Sequence, residues 1–127
     1  KNLSKAMAWK WNHPKGRYAT NIGGGPVIDA SGNTYITTND GIWKLGPKGD
    51  LLWHHEQPVG RINNQPSLYD GKVYTSNQNG EAFALDQKDG SVQWLTKLAS
   101  SYGGDAGYPA AHDGVFVVGA EEGHDPL

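Results

Sequence analysis

The sequence predicts an all-β protein, a segment of a β-propeller made of four-stranded antiparallel blades, with about three blades' worth of residues in its 127. Trp11, Trp53 and Trp94 recur at intervals of 42 and 41 residues. The chain contains 18 Gly and 7 Pro, too many for a helical bundle. A β-sandwich with evenly spaced strands is the alternative, but it does not require Trp, Pro and Gly turns to recur in register. The repeat therefore favours the propeller.

Each repeat unit begins at a proline that follows a polar, glycine-rich loop. These prolines are Pro26, Pro66 and Pro109. First strands are predicted at 27–28, 67–69 and 110–112, and second strands at 34–37, 72–75 and 115–118. Asp70-Gly71 and Asp113-Gly114 predict tight hairpin turns between these strands, because Gly accepts the positive φ that such turns require.

Third and fourth strands complete two of the units. Third strands are predicted at 42–45 and 82–85, and fourth strands at 51–53 and 92–94. Residues 8–11 are predicted to be the fourth strand of an earlier unit. Within a single segment, 1–127, we therefore expect the end of a preceding blade at 1–11, blades at 23–54 and 65–96, and the first half of a further blade at 108–127.

Charge and composition narrow the possible functions. The chain has 11 Lys and Arg against 13 Asp and Glu, and no basic stripe that would predict nucleic-acid binding. Without Cys it has no disulfide, no thiolate metal site and no thiol nucleophile. No apolar run approaches the roughly 20 residues of a membrane helix. The chain starts at Lys1 rather than Met, so we expect a removed leader or a fragment, and a location outside the cytoplasm or in an organelle lumen.

A spaced pattern in the second unit points to a family. Ala84, Asp86, Gly90 and Trp94 stand at fixed intervals. The pattern resembles the tryptophan-docking motif of the pyrroloquinoline-quinone (PQQ)-like propellers, with Asp89 where that family usually has Thr. In this family the motif Trp packs between adjacent blades, and the resemblance covers nearly the whole chain.

The first unit keeps the same frame less closely. Gly49 and Trp53 match the motif, whereas Trp43 stands in the Ala position and Leu45 in the Asp position. We expect the docking tryptophans to be core residues, because a large ring at a fixed place buries apolar surface and its indole N–H needs a partner. This structural set consists of Trp11, Trp53, Ala84, Asp86, Gly90 and Trp94. For Trp9 and Trp43 two interpretations stay open, an exposed contact residue or a second filler between blades.

Three polar loops precede the innermost strands, at 14–25, 56–65 and 98–107. Gly16-Arg17 and Gly60-Arg61 recur in the first two loops, and a guanidinium fork can bind an anion or a peptide carboxylate. The candidate ligand- or partner-binding residues are Arg17, Arg61, Asn63, Asn64, Gln65, Asp105 and Tyr108. The alternative is that they are solvated loop residues and turn formers.

No catalytic residue, metal site or resident cofactor is predicted. His54 and His55 are consecutive on a strand and point to opposite faces, so they cannot share one metal. Glu121, Glu122, His124 and Asp125 form a small acidic cluster, for which a cation site is one interpretation and a solvated loop the favoured one. The resemblance implies PQQ with Ca²⁺ for the enzymatic members of the family, and Asp105 is the only inner-loop acid that suits a base.

The family resemblance leaves two functions open. The favoured one is a non-catalytic module for protein interaction or scaffolding, an accessory subunit of a larger complex peripheral to a membrane. Its partners are proteins, including the rest of its own propeller, and not nucleic acid. One family member of this kind is a bacterial outer-membrane assembly lipoprotein that binds protein and no quinone. The alternative is a fragment of a PQQ-dependent quinoprotein dehydrogenase.

Overall fold

Ten β-strands form two four-stranded sheets and one hairpin in the computed structural model, which describes residues 7–56, 60–99 and 109–119. The first sheet contains β1 (Val27–Ile28), β2 (Thr34–Thr38), β3 (Gly41–Leu45) and β4 (Leu51–His55). The second contains β5 (Ser67–Tyr69), β6 (Lys72–Ser76), β7 (Glu81–Asp86) and β8 (Val92–Lys97). The hairpin consists of β9 (Ala110–His112) and β10 (Val115–Val117).

Both sheets are antiparallel meanders in which each strand pairs with its neighbour in sequence. The prediction of four-stranded antiparallel blades is therefore confirmed. Each sheet also has a register shift where the third strand meets the fourth, between Lys44 and Leu45 and between Ala84 and Leu85. The two sheets thus share an irregularity one repeat apart, as well as a strand order.

One predicted strand is wrong. Residues 8–11 do not form a strand. Their alternating aromatic pattern suits a strand, but a strand also needs a neighbour with which to form ladder hydrogen bonds. Trp9 and Trp11 instead pack as part of an irregular segment on the apolar cluster of Ile36, Trp43 and Leu45 in the first sheet.

The main core lies between the two sheets. Its buried members are Tyr35, Ile42, Trp53, Ile62, Val73, Phe83 and Leu85. They come from both sheets and from the loop that joins them. A blade has two broad faces that must both be covered, so its stability depends on its neighbours. None of the described residues belongs to a helix, and so none belongs to one that could cross a membrane.

Candidate functional site

The contact between the two sheets is built around Trp53 on β4. Its ring is 8% exposed and meets Tyr35 of its own sheet edge to face, with ring centroids 6.1 Å apart. Its indole N–H donates to the backbone carbonyl of Gln87 in the second sheet, at 3.1 Å. The side chain therefore fills the space between the sheets, and its only polar group, the indole N–H, is hydrogen-bonded to the turn between β7 and β8.

Lys44 donates to the same carbonyl oxygen from a second direction. Its Nζ lies 2.5 Å from the oxygen of Gln87 and 5.4 Å from the ring centroid of Tyr35. The side chain of Gln87 is itself fixed, since its amide donates to the carbonyl of Lys72. A buried ammonium must find acceptors, and here a backbone oxygen and an aromatic face supply them.

A glycine in a left-handed turn underlies each of two aromatic contacts. At Gly90 (φ +73°) a Cβ atom would lie 2.9 Å from Cδ2 of Trp53 and closer still to the ring of His55. At Gly49 (φ +81°) it would lie 2.9 Å from Cε3 of Trp9. We call each of these positions a glycine seat, a left-handed Gly covered by a ring from another segment.

The other two tryptophans of the predicted structural set also make aromatic contacts with other segments. Trp11 meets Trp43 of β3 edge to face, with centroids 5.4 Å apart. Trp94 on β8 lies 5.8 Å from Phe116 on β10, across the boundary between the second sheet and the hairpin. Both are half-buried, so Trp53 is the one buried member among Trp11, Trp53 and Trp94.

Three members of that set remain, Ala84 and Asp86 in β7 and Gly90 in the turn that leads to β8. Ala84 is fully buried and pairs across the ladder with Trp94. The Asp86 carboxylate accepts from the N–H of Lys88 at 2.7 Å, and its backbone carbonyl accepts from the N–H of Gly90 at 2.8 Å. These bonds shape the turn that places Gly90 in its left-handed conformation.

Trp43 is a filler rather than an exposed contact residue, since it is 4% exposed. Its ring stacks flat on His54, with centroids 3.5 Å apart, and its indole N–H donates to the Thr38 hydroxyl at 3.0 Å. Trp9 is half-buried over Gly49 and fills the same side of the first sheet. His54 and His55 point to opposite faces, as predicted for consecutive strand residues.

His13 and Asp40 form a hydrogen-bonded pair that was not predicted from the sequence. His13 Nε2 lies 2.7 Å from the carboxylate of Asp40. The other ring nitrogen accepts from the N–H of Lys15 at 3.2 Å, so Nε2 is the donor to Asp40. The residues are 27 positions apart in the chain, and no local pattern marks such a pair.

The environment of Asp40 favours its charged form. Burial would raise the pKa of its carboxyl, but hydrogen bonds from Thr38 and His13 outweigh it and hold the pKa below its usual range. Thr38 donates to the second carboxylate oxygen at 2.6 Å. The pair therefore anchors the irregular N-terminal segment to the turn between β2 and β3.

Arg17 and Arg61 are both exposed, and they lie in different surroundings. The Arg17 guanidinium lies 4.9 Å from the ring centroid of Tyr18 and lines a cavity of about 550 Å³. Arg61 is not among the residues that line this cavity, and its backbone carbonyl accepts from the N–H of Gln78. Of the two candidate arginines, only Arg17 therefore lines this cavity.

Asn64 is placed in the interior and not at an open loop mouth. It is 2% exposed, its amide donates to the Ser76 hydroxyl at 2.8 Å, and its side-chain oxygen accepts from Thr75. Its backbone carbonyl accepts from the hydroxyl of Thr37 in the first sheet at 2.6 Å. The side chain is thus held by hydrogen bonds inside the fold.

The other candidate residues are divided between two situations. Asn63 and Gln65 are half-buried, and Gln65 lines a groove of about 510 Å³ between the first strands of the two sheets. Asp29 borders the same groove, and its carboxylate accepts from the hydroxyl of Tyr35 at 3.0 Å. Asp105 and Tyr108 lie outside the described residues, as do Glu121, Glu122, His124 and Asp125.

Within 7–56, 60–99 and 109–119 no three Asp, Glu or His side chains come together as metal ligands. Two acids, Asp29 and Asp70, border the groove between the first strands, and the carboxylate of Asp29 also accepts from the side chain of Asn33 at 2.9 Å.

The fold defines a class, a segment of a β-propeller in which aromatic rings cover the joins between blades. The chain belongs to the family described as outer membrane protein assembly factor BamB, whose model matches residues 4–124. No curated protein matches the chain.

Solved structures share this fold. BamB from Moraxella catarrhalis is 23% identical, with a TM-score of 0.72, over 95% of this chain and 36% of that one. A quinohemoprotein alcohol dehydrogenase from Pseudomonas putida is 19% identical, with a TM-score of 0.71, over 91% of this chain and 18% of that one. A quinohemoprotein alcohol dehydrogenase from Comamonas testosteroni is 19% identical, with a TM-score of 0.64, over 77% and 17%. The chain thus covers 36% of the BamB chain and less than a fifth of each dehydrogenase chain.

Proposed function

We propose that this chain is part of a non-catalytic propeller that acts as a protein-interaction and scaffold module, an accessory subunit of a larger assembly. The observation that carries the proposal is the match to the assembly-factor family along residues 4–124. We further propose that the assembly lies outside the cytoplasm, peripheral to a membrane, and that it takes part in the assembly of outer-membrane proteins.

The surface chemistry supports an interaction role. Arg17 and Arg61 are exposed on separate loops, and among the described residues neither forms a salt bridge with a carboxylate. The aromatic residues of the joins, in contrast, are used inside the fold. We propose the structural docking role for Trp11, Trp53 and Trp94, and partner contact for Arg17, Arg61, Asn63 and Gln65.

Site-specific photo-crosslinking tests the proposal. A photoreactive residue is placed at Arg61 in the full chain, and a matched one at Lys88, an exposed cation in the turn before β8. Crosslinking in intact cells is expected to join the Arg61 position to a component of the outer-membrane assembly machinery, and to give no such product at Lys88. Equal yields at both positions, or none at Arg61, would argue against the proposed contact surface.

The quinoprotein alternative has a direct test of its own. The structural likeness to two quinohemoprotein alcohol dehydrogenases favours it as the second candidate. PQQ and Ca²⁺ are added to the metal-free full chain while the quinone absorbance is recorded. Our proposal expects no spectral change, and a saturable shift would establish the alternative.

A further inference from the structure

Positive charge is concentrated at one end of this weakly acidic chain. Residues 1–28 contain five of its 11 Lys and Arg and none of its 13 Asp and Glu. The chain as a whole has a net charge of −2, so the remaining residues are clearly acidic. A cavity built from the first segment therefore has a different electrostatic character from the rest of the molecule.

Such a cavity exists in the loop between the first tryptophans and β1. It has a volume of about 550 Å³, within the range of small-ligand sites. Its lining includes Lys10, Trp11, Asn12, Arg17, Tyr18 and Thr20, with no Asp or Glu among the residues that surround it. Two cations, two aromatic rings and two hydrogen-bonding side chains thus face one space.

Both ends of this loop are fixed to the first sheet. His13 is bonded to Asp40 at 2.7 Å, and Ile22 forms a bridge with Thr38. Asn39 donates its N–H to the Thr20 hydroxyl at 3.1 Å. The carboxylate of Asp40, which binds the cavity-lining residue His13, also accepts from the Thr38 hydroxyl. The first sheet therefore holds both ends of the loop that forms the cavity, and no carboxylate among the lining residues neutralises Lys10 and Arg17.

Tyr18 presents an aromatic ring at this cavity at a cost in backbone energy. Its φ of 67° is in the left-handed region, which is unfavourable for a bulky residue. Its ring is 86% exposed, with the Arg17 guanidinium above it at 4.9 Å. A strained backbone that displays a ring to solvent is a reason to look for a ligand, because strain of this kind clusters at binding sites.

We propose that this cavity binds an acidic, aromatic-containing segment of a partner protein, with Lys10 and Arg17 pairing its carboxylates and Trp11 and Tyr18 receiving its ring. The proposal rests on the interaction function proposed above and names the partner's chemistry. An Arg fork suits a carboxylate, and an exposed ring beside it suits an aromatic side chain. A flat membrane surface is disfavoured because a concave lining cannot meet a plane.

Fluorescence anisotropy on the full chain tests the proposal. The probe is a short fluorescein-labelled peptide of alternating glutamate and phenylalanine, and the matched control peptide has glutamine in place of glutamate. We expect the acidic peptide to bind at least about tenfold more tightly than the control peptide. Lys10→Gln and Arg17→Gln should each weaken it by about tenfold, since each removes a charge-assisted contact.

Matched variants separate the site from general attraction. Lys88→Gln removes an exposed cation far along the chain and should leave peptide binding unchanged. Arg17→Lys keeps the charge but loses the fork, so it should bind between wild type and Arg17→Gln. Circular dichroism melts should show all variants folded, because Lys10 and Arg17 are exposed.

Other results would overturn the proposal. Equal binding of the two peptides, or full binding by Arg17→Gln, would exclude a carboxylate site here. If inorganic phosphate alone displaces the peptide, the cavity is a simple anion site. If Lys10→Gln and Arg17→Gln weaken binding to anionic vesicles as much as they weaken binding to the peptide, the cavity is part of a membrane-binding surface. If Arg17→Gln abolishes peptide binding but crosslinking at Arg61 is unchanged, the two surfaces act separately. If peptide binding fails while that crosslink persists, only this inference fails and the interaction function stands.

Discussion

Trp53 on the first sheet donates its indole N–H to the backbone carbonyl of Gln87 on the second, at 3.1 Å. The same oxygen accepts from Nζ of Lys44 at 2.5 Å. One carbonyl group thus joins two side chains of one blade to the turn of the next. A turn that carries such a contact must keep its shape, and this links the conformation of residues 87–90 to the packing of the preceding blade.

Removing the indole should weaken this join. Trp53→Phe loses the bond to Gln87 and part of a buried ring, and should lower the free energy of unfolding by about 1–3 kcal/mol. Trp94→Phe is the matched control, and it should cost less because Trp94 is half-buried. Urea denaturation followed by far-UV circular dichroism measures both. Equal losses would mean that Trp53 has no special place in the join.

The steric effect of a side chain at Gly90 can be distinguished from the backbone strain that it shares with other left-handed turn positions. Gly71 and Gly90 both have φ of +73°, but a Cβ at Gly71 would meet nothing within 4 Å. Gly71→Ala should therefore cost only about 1 kcal/mol of backbone strain. Gly90→Ala should cost more, since its methyl group would collide with Trp53 and His55. Thermal unfolding of the two variants gives the comparison, and similar melting temperatures would contradict the steric argument.

Asn64 should behave as a core residue. Asn64→Ala leaves the hydroxyls of Ser76 and Thr75 without their buried partner and should destabilise the fold by about 1–3 kcal/mol. Asn63→Ala, next in the chain and less buried, is the control, with an expected change within about 0.5 kcal/mol. Chemical denaturation measures both variants. A large loss at Asn63 with none at Asn64 would reverse this assignment.

Asp40 makes stability dependent on pH in the acidic range. Its pKa is lowered in the folded state, so its contribution is complete above the unfolded pKa of about 4 and is lost as pH falls through the lower folded value. Asp40→Asn should therefore be less stable than wild type at pH 7, by about 1–3 kcal/mol. The difference should narrow below about pH 4. Unfolding free energies measured from neutral to acidic pH test this, and a difference independent of pH would refute it.

Local chemistry made the strands predictable. Asp-Gly pairs and alternating β-branched residues lie within a few positions of one another, so the turn at Asp70-Gly71 and the strands beside it could be read directly from the sequence. The strand predicted at 8–11 failed for the opposite reason, because a strand exists only with a partner that local sequence does not specify.

The site was harder to predict because burial and pairing are tertiary properties. Asn64 is a polar residue in a polar loop, yet the packing of two sheets encloses it. His13 and Asp40 are far apart in sequence, and Lys44 is a charged residue at a position that turns out to be 8% exposed. Only the tryptophan spacing indicated where units meet, since large rings at a regular interval imply a repeated contact.

The two glycine seats differ in what covers them. Trp9, from an irregular segment, lies over Gly49, whereas the rings of Trp53 and His55, from a regular strand, lie over Gly90. Gly49 and Gly90 are about one repeat apart in the sequence. The same left-handed glycine can therefore receive a ring from a regular strand or from an irregular segment, and the contact repeats along the chain with the period of the blades.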